Sequence, residues 1–490
     1  MVVPDIRFSS LEPVQCRCDE VQPDEQATSY EAKQMTKVVE ISPTTRHEGH
    51  SKLVLMVDEE GIIERGDWLS ITSVRGLEKV AYGKSMEQVP KIVSRVCGIC
   101  PVAHTLAATE AIEASIGCEI PRDAHVLRVI LQCANRLHSH ALHNILTLPD
   151  MYLPATDKKI NPFSPEEPVR SVAKRIQKLR EIGQTICEIA GGQSIHPNNP
   201  RVGGMYMNVS PRAKTKMYDL TKEAIPLAKA QMDFMIAVLR NYQKREWAEV
   251  GGKQVPIPKT LGYHNQGYMA TEPVYGTTSL AEHPTWDAER FTEVRPWDWY
   301  MSEVEIDLAD ESYPVGGTTP VGRKANPRIE ACNGVPLYDG QPVEVGPRAR
   351  LSRFKGFDEK GTIGQQVARQ MEFMDDVYAM LSHIDLLNTS GKVLADEIPR
   401  GDGTCLAWAT NEAPRGTDIH FARVRDGKVH DYSMLVPTTW NFPTCSQALA
   451  GAPWQLAEVV IRGYDPCVSC ATHMIVIDND KKILARKLIQ

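Results

Sequence analysis

The 490-residue chain has 42% hydrophobic and 24% charged residues, with 55 Lys and Arg against 62 Asp and Glu for a formal net charge of −7. At ~150 residues per domain this length allows about three domains, and the acidic balance argues against a general nucleic-acid binder, which would show basic patches or a high pI. No stretch approaches the ~18 consecutive apolar residues of a transmembrane segment, and the amino terminus lacks a secretory signal, so a soluble, cytoplasmic protein is expected.

Residues 1–34 are rich in Pro, Asp, Glu and Gln without an apolar period and read as a disordered leader or extension, with Met35 as an alternative start. KVVEIS, KLVLMV and IIERGDWLSIT then read as strands, the last two flanking a Glu-Glu-Gly turn. Apolar residues three and four apart predict helices over 123–148, 171–190, 213–248 and 364–388; Pro226 should kink or break the third. Segment 250–350 is rich in Pro and Gly and carries Trp286, Trp297 and Trp299, which suggests an irregular excursion over the helices. HFARVRDGKVHDYSMLVP predicts a hairpin turning at Asp426-Gly427. The expected fold class is α+β, a core of long helices with small β-sheets formed by the N- and C-terminal regions.

Twelve cysteines are too few for a disulfide scaffold. Four of them form two pairs, Cys97-Gly-Ile-Cys100 and Cys467-Val-Ser-Cys470. Pro101 follows Cys100 at once and opens a good helix, VAHTLAATEAIEAS, so this pair sits at a helix amino terminus, where thiolate is favoured over thiol. In the second pair Asp465-Pro466 sets a turn before Cys467. Four sulfurs suffice for Zn, Fe or another thiophilic metal. Structural zinc sites usually join pairs about 15–20 residues apart; here 367 residues separate Cys100 from Cys467. Spacing alone leaves open a structural zinc site or a catalytic metal centre.

RVCGICPVAH together with YDPCVSCATH resembles the two nickel-binding motifs of the large subunit of [NiFe] hydrogenases. RHEGH (46–50), RGLEK (75–79), GPRAR (346–350), EAPRG (412–416) and LVPTTWN (435–441) match in consistent order over about 37–473. HTLA, LGYHNQ, GPRARL and LVPTTWNFPT are most similar to the group within that family that reduces the deazaflavin coenzyme F-420 in methanogens. The resemblance implies one catalytic domain over 35–473 with an irregular insert at about 250–330.

It also implies a ligand set. Cys97, Cys100, Cys467 and Cys470 would bind nickel, and Cys100 and Cys470 would bridge to an iron carrying CO and two cyanides. Dihydrogen is a very weak acid, so heterolytic cleavage needs a Lewis acid for the hydride and a base beside it. The metals would supply the first and Cys467, as a terminal thiolate, the second. Glu48 would take the proton onward; on residue type alone it reads as a partner of Arg46 or His50. Arg415 would stand over the metals and hydrogen-bond a cyanide, and Thr438 would donate to the other, with Pro414, Val436 and Pro437 as dry wall. Asp150 and Asp465 would lie near that arginine, and His104, one helical turn after Cys100, would reach a bridging sulfur. Taken alone, these residues read as turn, cap and core groups. His138, His140 and His143 do not share one helical face well and are not read as ligands.

Glu78, the Leu435 carbonyl and His473 resemble the ligands of a second, hard cation, magnesium or a second iron. By the same resemblance a maturation endopeptidase would cut between His473 and Met474, removing 474–490 as a propeptide. An intact mass of active enzyme still ending at Gln490 would contradict that. No further Cys cluster is present to carry electrons, so the resemblance implies a large hetero-oligomer with an iron–sulfur small subunit (gamma) and a flavin-binding beta subunit carrying FAD.

Overall fold

Strands Lys37–Ile41, Ser51–Val57 and Ile63–Ser70 pair antiparallel in sequence order, in the three places where the residue pattern predicts them. Leu53 stands opposite Trp68, and both are fully buried. The computed structural model describes residues 37–72, 75–271, 290–294 and 334–471. The leader, the three tryptophans of the excursion, most of the 250–330 insert, His473, Met474 and the tail lie outside the described residues.

Four long helices, Arg122–Thr147, Val169–Gly191, Pro211–Gln243 and Gly361–Leu386, form the core. The first packs against the second and fourth, and the third against the same two. Pro226 does not break the third helix. It lies on the exposed face between buried Ala224 and Ala228, and Lys222, whose carbonyl loses its partner, is exposed as well. Water can satisfy that carbonyl, while the buried face continues uninterrupted.

The carboxyl-terminal sheet contains Asp402–Ala413, Gly416–Arg425 and Lys428–Leu435. Its second hairpin turns through Asp426 (φ 52°) and Gly427 (φ 75°), the left-handed pair a two-residue primed turn requires. Helix Pro101–Ile116 packs across the first two of these strands. This brings the first cysteine pair against the segment that carries Arg415.

The core also holds an unusual number of charges. Arg350, fully buried, donates to Glu372 (2.5 and 2.8 Å), Glu412 (2.8 Å) and the Ala413 carbonyl (3.0 Å). GPRAR is therefore a structural motif that anchors the strand end next to Arg415. Arg350→Met would leave two buried carboxylates uncompensated, and a loss of about 3–5 kcal/mol is expected. Denaturant unfolding of the purified complex checks this, and adding Glu372→Gln should recover part of the loss.

Candidate metal centre

Each sulfur pair is set by its local backbone. Cys100 is the N-cap of helix Pro101–Ile116 and Pro101 its first residue, as the sequence predicts. Cys97, extended at φ −143°, accepts the Ile99 amide at 3.2 Å. The second pair follows Asp465, itself at φ 52°. Arg75 ties the two motifs together, donating to the carbonyls of Val96 (2.5 Å) and Ser469 (2.8 Å).

The four Sγ atoms converge. Cys97–Cys467 is 3.1 Å, Cys100–Cys467 3.9 Å, Cys100–Cys470 3.6 Å and Cys467–Cys470 2.8 Å. All four residues are buried and their thiols free. Metal–sulfur bonds of about 2.3 Å in a tetrahedral site separate sulfurs by ~3.8 Å; two of the pairs already stand near that separation, and Cys467 must move away from Cys97 and Cys470 to admit a metal ion. The electrostatics point the same way. Hydrogen bonds with Cys100 and Cys467 hold the Cys97 thiol well below its usual pKa, whereas burial pushes Cys467 and Cys470 well above theirs. Four crowded sulfurs cannot all ionise without a cation among them.

Glu48 is brought to this cluster by backbone pairing. Its N–H donates to the Pro466 carbonyl (3.2 Å), and its own carbonyl accepts from Val468 N–H (3.0 Å). The carboxylate Oε2 then lies 3.2 Å from Cys467 Sγ and 3.0 Å from the Ser469 amide. It pairs with neither Arg46 nor His50. Arg46 instead bonds Asp150 and the Leu146 carbonyl.

Arg415 is held from three sides: Nε on the Asp465 carbonyl (2.6 Å), Nη2 on Asp465 Oδ1 (3.0 Å) and Nη1 on Ser139 Oγ (3.1 Å). Burial disfavours the Asp465 carboxylate, but the Arg415 guanidinium, with Arg369, outweighs it and keeps its pKa below the usual range. Asp150, also expected near this arginine, instead binds Arg462 (2.7 and 3.0 Å) and Arg46. A small cavity of about 10 Å³ beside the sulfurs is lined by Cys100, His104, Ala413, Pro414, Arg415, Pro437, Thr438, Cys467 and Cys470. Val436, also named from the sequence, is buried as the N-cap of helix Pro437–Ala448 but does not line this space, whereas Ala413 does. Thr438 Oγ1 accepts the Cys467 amide at 3.0 Å, so its own hydroxyl hydrogen is free to donate elsewhere.

His104 Nε2 lies 3.3 Å from Cys470 Sγ and 3.7 Å from Cys100 Sγ. Burial opposes a charge on this ring, but Asp418 raises its pKa well above the usual value. Glu78 accepts from Met434 N–H (2.9 Å) and Ser433 Oγ (3.1 Å), next to Leu435; the third expected ligand, His473, lies outside the described residues. Sequence reasoning gave no role to Arg75, Ser469 or Gly49. It also missed Asp418 and His420: the predicted hairpin begins at His420, and only the structure extends that strand back to Gly416, which puts Asp418 on the same face.

His138, His140 and His143 are buried and neutral. Burial pushes His138 and His140 down to about 4 and His143 to about 3. His140 pairs with Glu372 at 3.0 Å, and His143 donates to the Arg462 carbonyl at 2.8 Å. Their folded pKa values lie below the unfolded value of ~6.5, so from about pH 6.5 to 4 the unfolded chain binds more protons. Stability should therefore fall as pH drops through that window. His138, whose Nδ1 has no hydrogen-bond partner, offers the cleanest check. Melting temperatures of the complex at pH 7 and pH 5 should differ less in His138→Leu than in the parent.

The sequence pattern of the nickel-dependent hydrogenase family matches residues 75–146 and 355–473. The coenzyme F420 hydrogenase subunit alpha of Methanosarcina barkeri is 69% identical over 456 residues, covering 93% of this chain and all of that protein. The protein of the same name from Methanothermobacter thermautotrophicus is 38% identical, covering 92% of this chain and 98% of its own length. In fold, the chain is similar to a NAD+-reducing [NiFe]-hydrogenase in the H2-reduced state, with TM-score 0.70, 24% identity, and coverage of 89% of this chain and all of that one. The chain belongs to the nickel-dependent hydrogenases, as a catalytic large subunit of the [NiFe] type.

Proposed function

We propose that the site oxidises dihydrogen reversibly by heterolytic cleavage, and that Cys97, Cys100, Cys467 and Cys470 would hold nickel, with Cys100 and Cys470 also available to iron. The observation that carries this reading is the convergence of four buried sulfurs from opposite ends of the chain beside an apolar-walled space. When bound, the bimetallic group, with CO and two cyanides on iron, supplies the Lewis acidity that polarises dihydrogen.

The protein supplies the base, the proton route and the walls. Cys467 takes the proton, because its sulfur is the one 3.2 Å from a carboxylate. Glu48 receives it and, being only half-buried, passes it toward the surface. The Arg415 guanidinium, immobilised by Asp465 and Ser139, presents fixed positive charge to the space and donates to one cyanide. Thr438 donates to the other, and Pro414 and Pro437 exclude water. Glu78, the Leu435 carbonyl and His473 hold magnesium or a second iron, and cleavage between His473 and Met474 by a maturation endopeptidase completes the chain.

Electrons leave through iron–sulfur clusters of a small gamma subunit and FAD of a beta subunit to coenzyme F-420. The printed names of the relatives support both the multisubunit assembly and this acceptor. Among the described residues no helix is long and apolar enough to cross a membrane, which is compatible with a cytoplasmic hetero-oligomer.

Elemental analysis and infrared spectroscopy of the purified complex test the centre. One nickel per large subunit, iron in excess of it because the clusters add their own, and CO and cyanide bands are expected; zinc without nickel and without those bands overturns the reading. Assays with the deazaflavin, NAD and viologens test the acceptor, and the deazaflavin should be reduced at a rate that NAD does not match.

A further inference from the structure

Beyond the groups used above, His104 belongs to a fully buried chain that runs away from the sulfurs. Asp418 lies between two imidazoles: its Oδ2 is 3.0 Å from His104 Nδ1 and its Oδ1 3.2 Å from His420 Nε2. His420 Nδ1 in turn meets Tyr432 Oη at 2.5 Å. His104, Asp418 and His420 are at most 1% exposed and Tyr432 is 4% exposed.

We propose that Asp418 is a positioning residue that holds the His104 ring with Nε2–H aimed at the sulfurs of Cys470 and Cys100, and so sets how much electron density those sulfurs give the metals. The inference rests on the reading that these two cysteines bridge to iron.

Three observations support it. Asp418 and His420 are two apart on strand Gly416–Arg425 and share the face that packs on helix Pro101–Ile116, from which His104 projects. His420 Nε2 lies 3.2 Å from Asp418 Oδ1 and 3.4 Å from His104 Nδ1, so Tyr432, meeting Nδ1 of the same ring, braces both the carboxylate and the His104 imidazole. With Asp418 engaging Nδ1, His104 keeps Nε2 for sulfur, 3.3 Å from Cys470. Hydrogen bonds to metal-bound sulfurs draw electron density from them and tune the metal they bind. A carboxylate behind a histidine is the arrangement that fixes ring orientation in metal sites generally.

The test is infrared spectroscopy on the purified complex. Asp418→Asn should keep nickel and iron at the parent's stoichiometry but move the CO band to lower wavenumber, because sulfurs that lose a donor release more density to iron. His104→Ala should move it in the same direction. The double variant should match His104→Ala alone, since both changes act through one ring. Tyr432→Phe, which removes one oxygen, decides the case if Asp418→Asn fails to load metal. Without its hydroxyl, His420 no longer shares the Asp418 charge, Asp418 is left to His104 alone, and a smaller shift of the opposite sign is expected.

Unmoved bands in both Asp418→Asn and Tyr432→Phe, or shifts that add in the double variant, overturn the proposal. So does a metal ion additional to nickel, iron and the Glu78-site cation that is present in the parent and lost in Asp418→Asn, because His104, Asp418 and His420 also lie close enough together to be ligands. Absence of CO and cyanide bands in the parent would instead overturn the functional reading itself.

Discussion

Glu48→Gln should lower hydrogen–deuterium exchange by the complex by ~10²–10⁴, the usual contribution of a positioned acid–base group. Nickel and iron should stay at parental levels. The substitution is close to isosteric, and the amide oxygen of Gln can still accept the Ser469 N–H that Glu48 accepts at 3.0 Å. The backbone bonds to Pro466 and Val468 do not involve the side chain. What disappears is a carboxylate able to take a proton from Cys467, 3.2 Å away. Retained exchange, measured beside an unchanged metal content, would remove Glu48 from the proton route.

Gly49→Ala is expected to have a broader effect. Gly49 has φ +80°, and a Cβ there would come within 2.6 Å of the Ser469 amide nitrogen and 2.9 Å of Val468 Cβ. The unfavourable backbone conformation costs about 1–3 kcal/mol before any collision is counted. Neither side can retreat cheaply, because Glu48 and Val468 are joined by a backbone hydrogen bond one residue away. The loop must lift from the second cysteine pair, carrying Glu48 away from Cys467. Loss of exchange should therefore come with reduced metal loading and a melting temperature lower by about 1–3 °C, since ~2.1 cal/mol/K of unfolding entropy per residue gives roughly 1 °C per kcal/mol in a domain of this size. Parental melting and exchange in this variant would show that the close approach is dispensable. The two substitutions separate cleanly: one removes a proton acceptor, the other the contact that presents it.

The helix boundaries were legible because burial on one face imposes a period that survives in the residues, as in Arg122–Thr147 and Gly361–Leu386. Pro226 misled because a local penalty was weighed without knowing that its freed carbonyl would face solvent. His104 and Cys100 could be placed together, being four apart on one helix. Asp150 could not be separated from Asp465 as the partner of Arg415, since both are acidic residues in plausible turns and only packing decides which one the guanidinium meets.

The same division holds for the whole molecule. Local chemistry in the chain determined the strands, the long helices, the helix amino terminus at Cys100 and, through motif resemblance, the four cysteines that converge with Glu48 and Arg415 beside them. Tertiary structure alone decided that Glu48 faces Cys467 rather than Arg46, that Arg75 clamps the two cysteine motifs, and that Asp418, His420 and Tyr432 stand behind His104. Periodicity and capping act between residues a few positions apart, so they leave a trace in linear order. Convergence of segments more than 300 residues apart is set by which buried polar groups must find partners once the core closes, and that constraint leaves no local pattern to read.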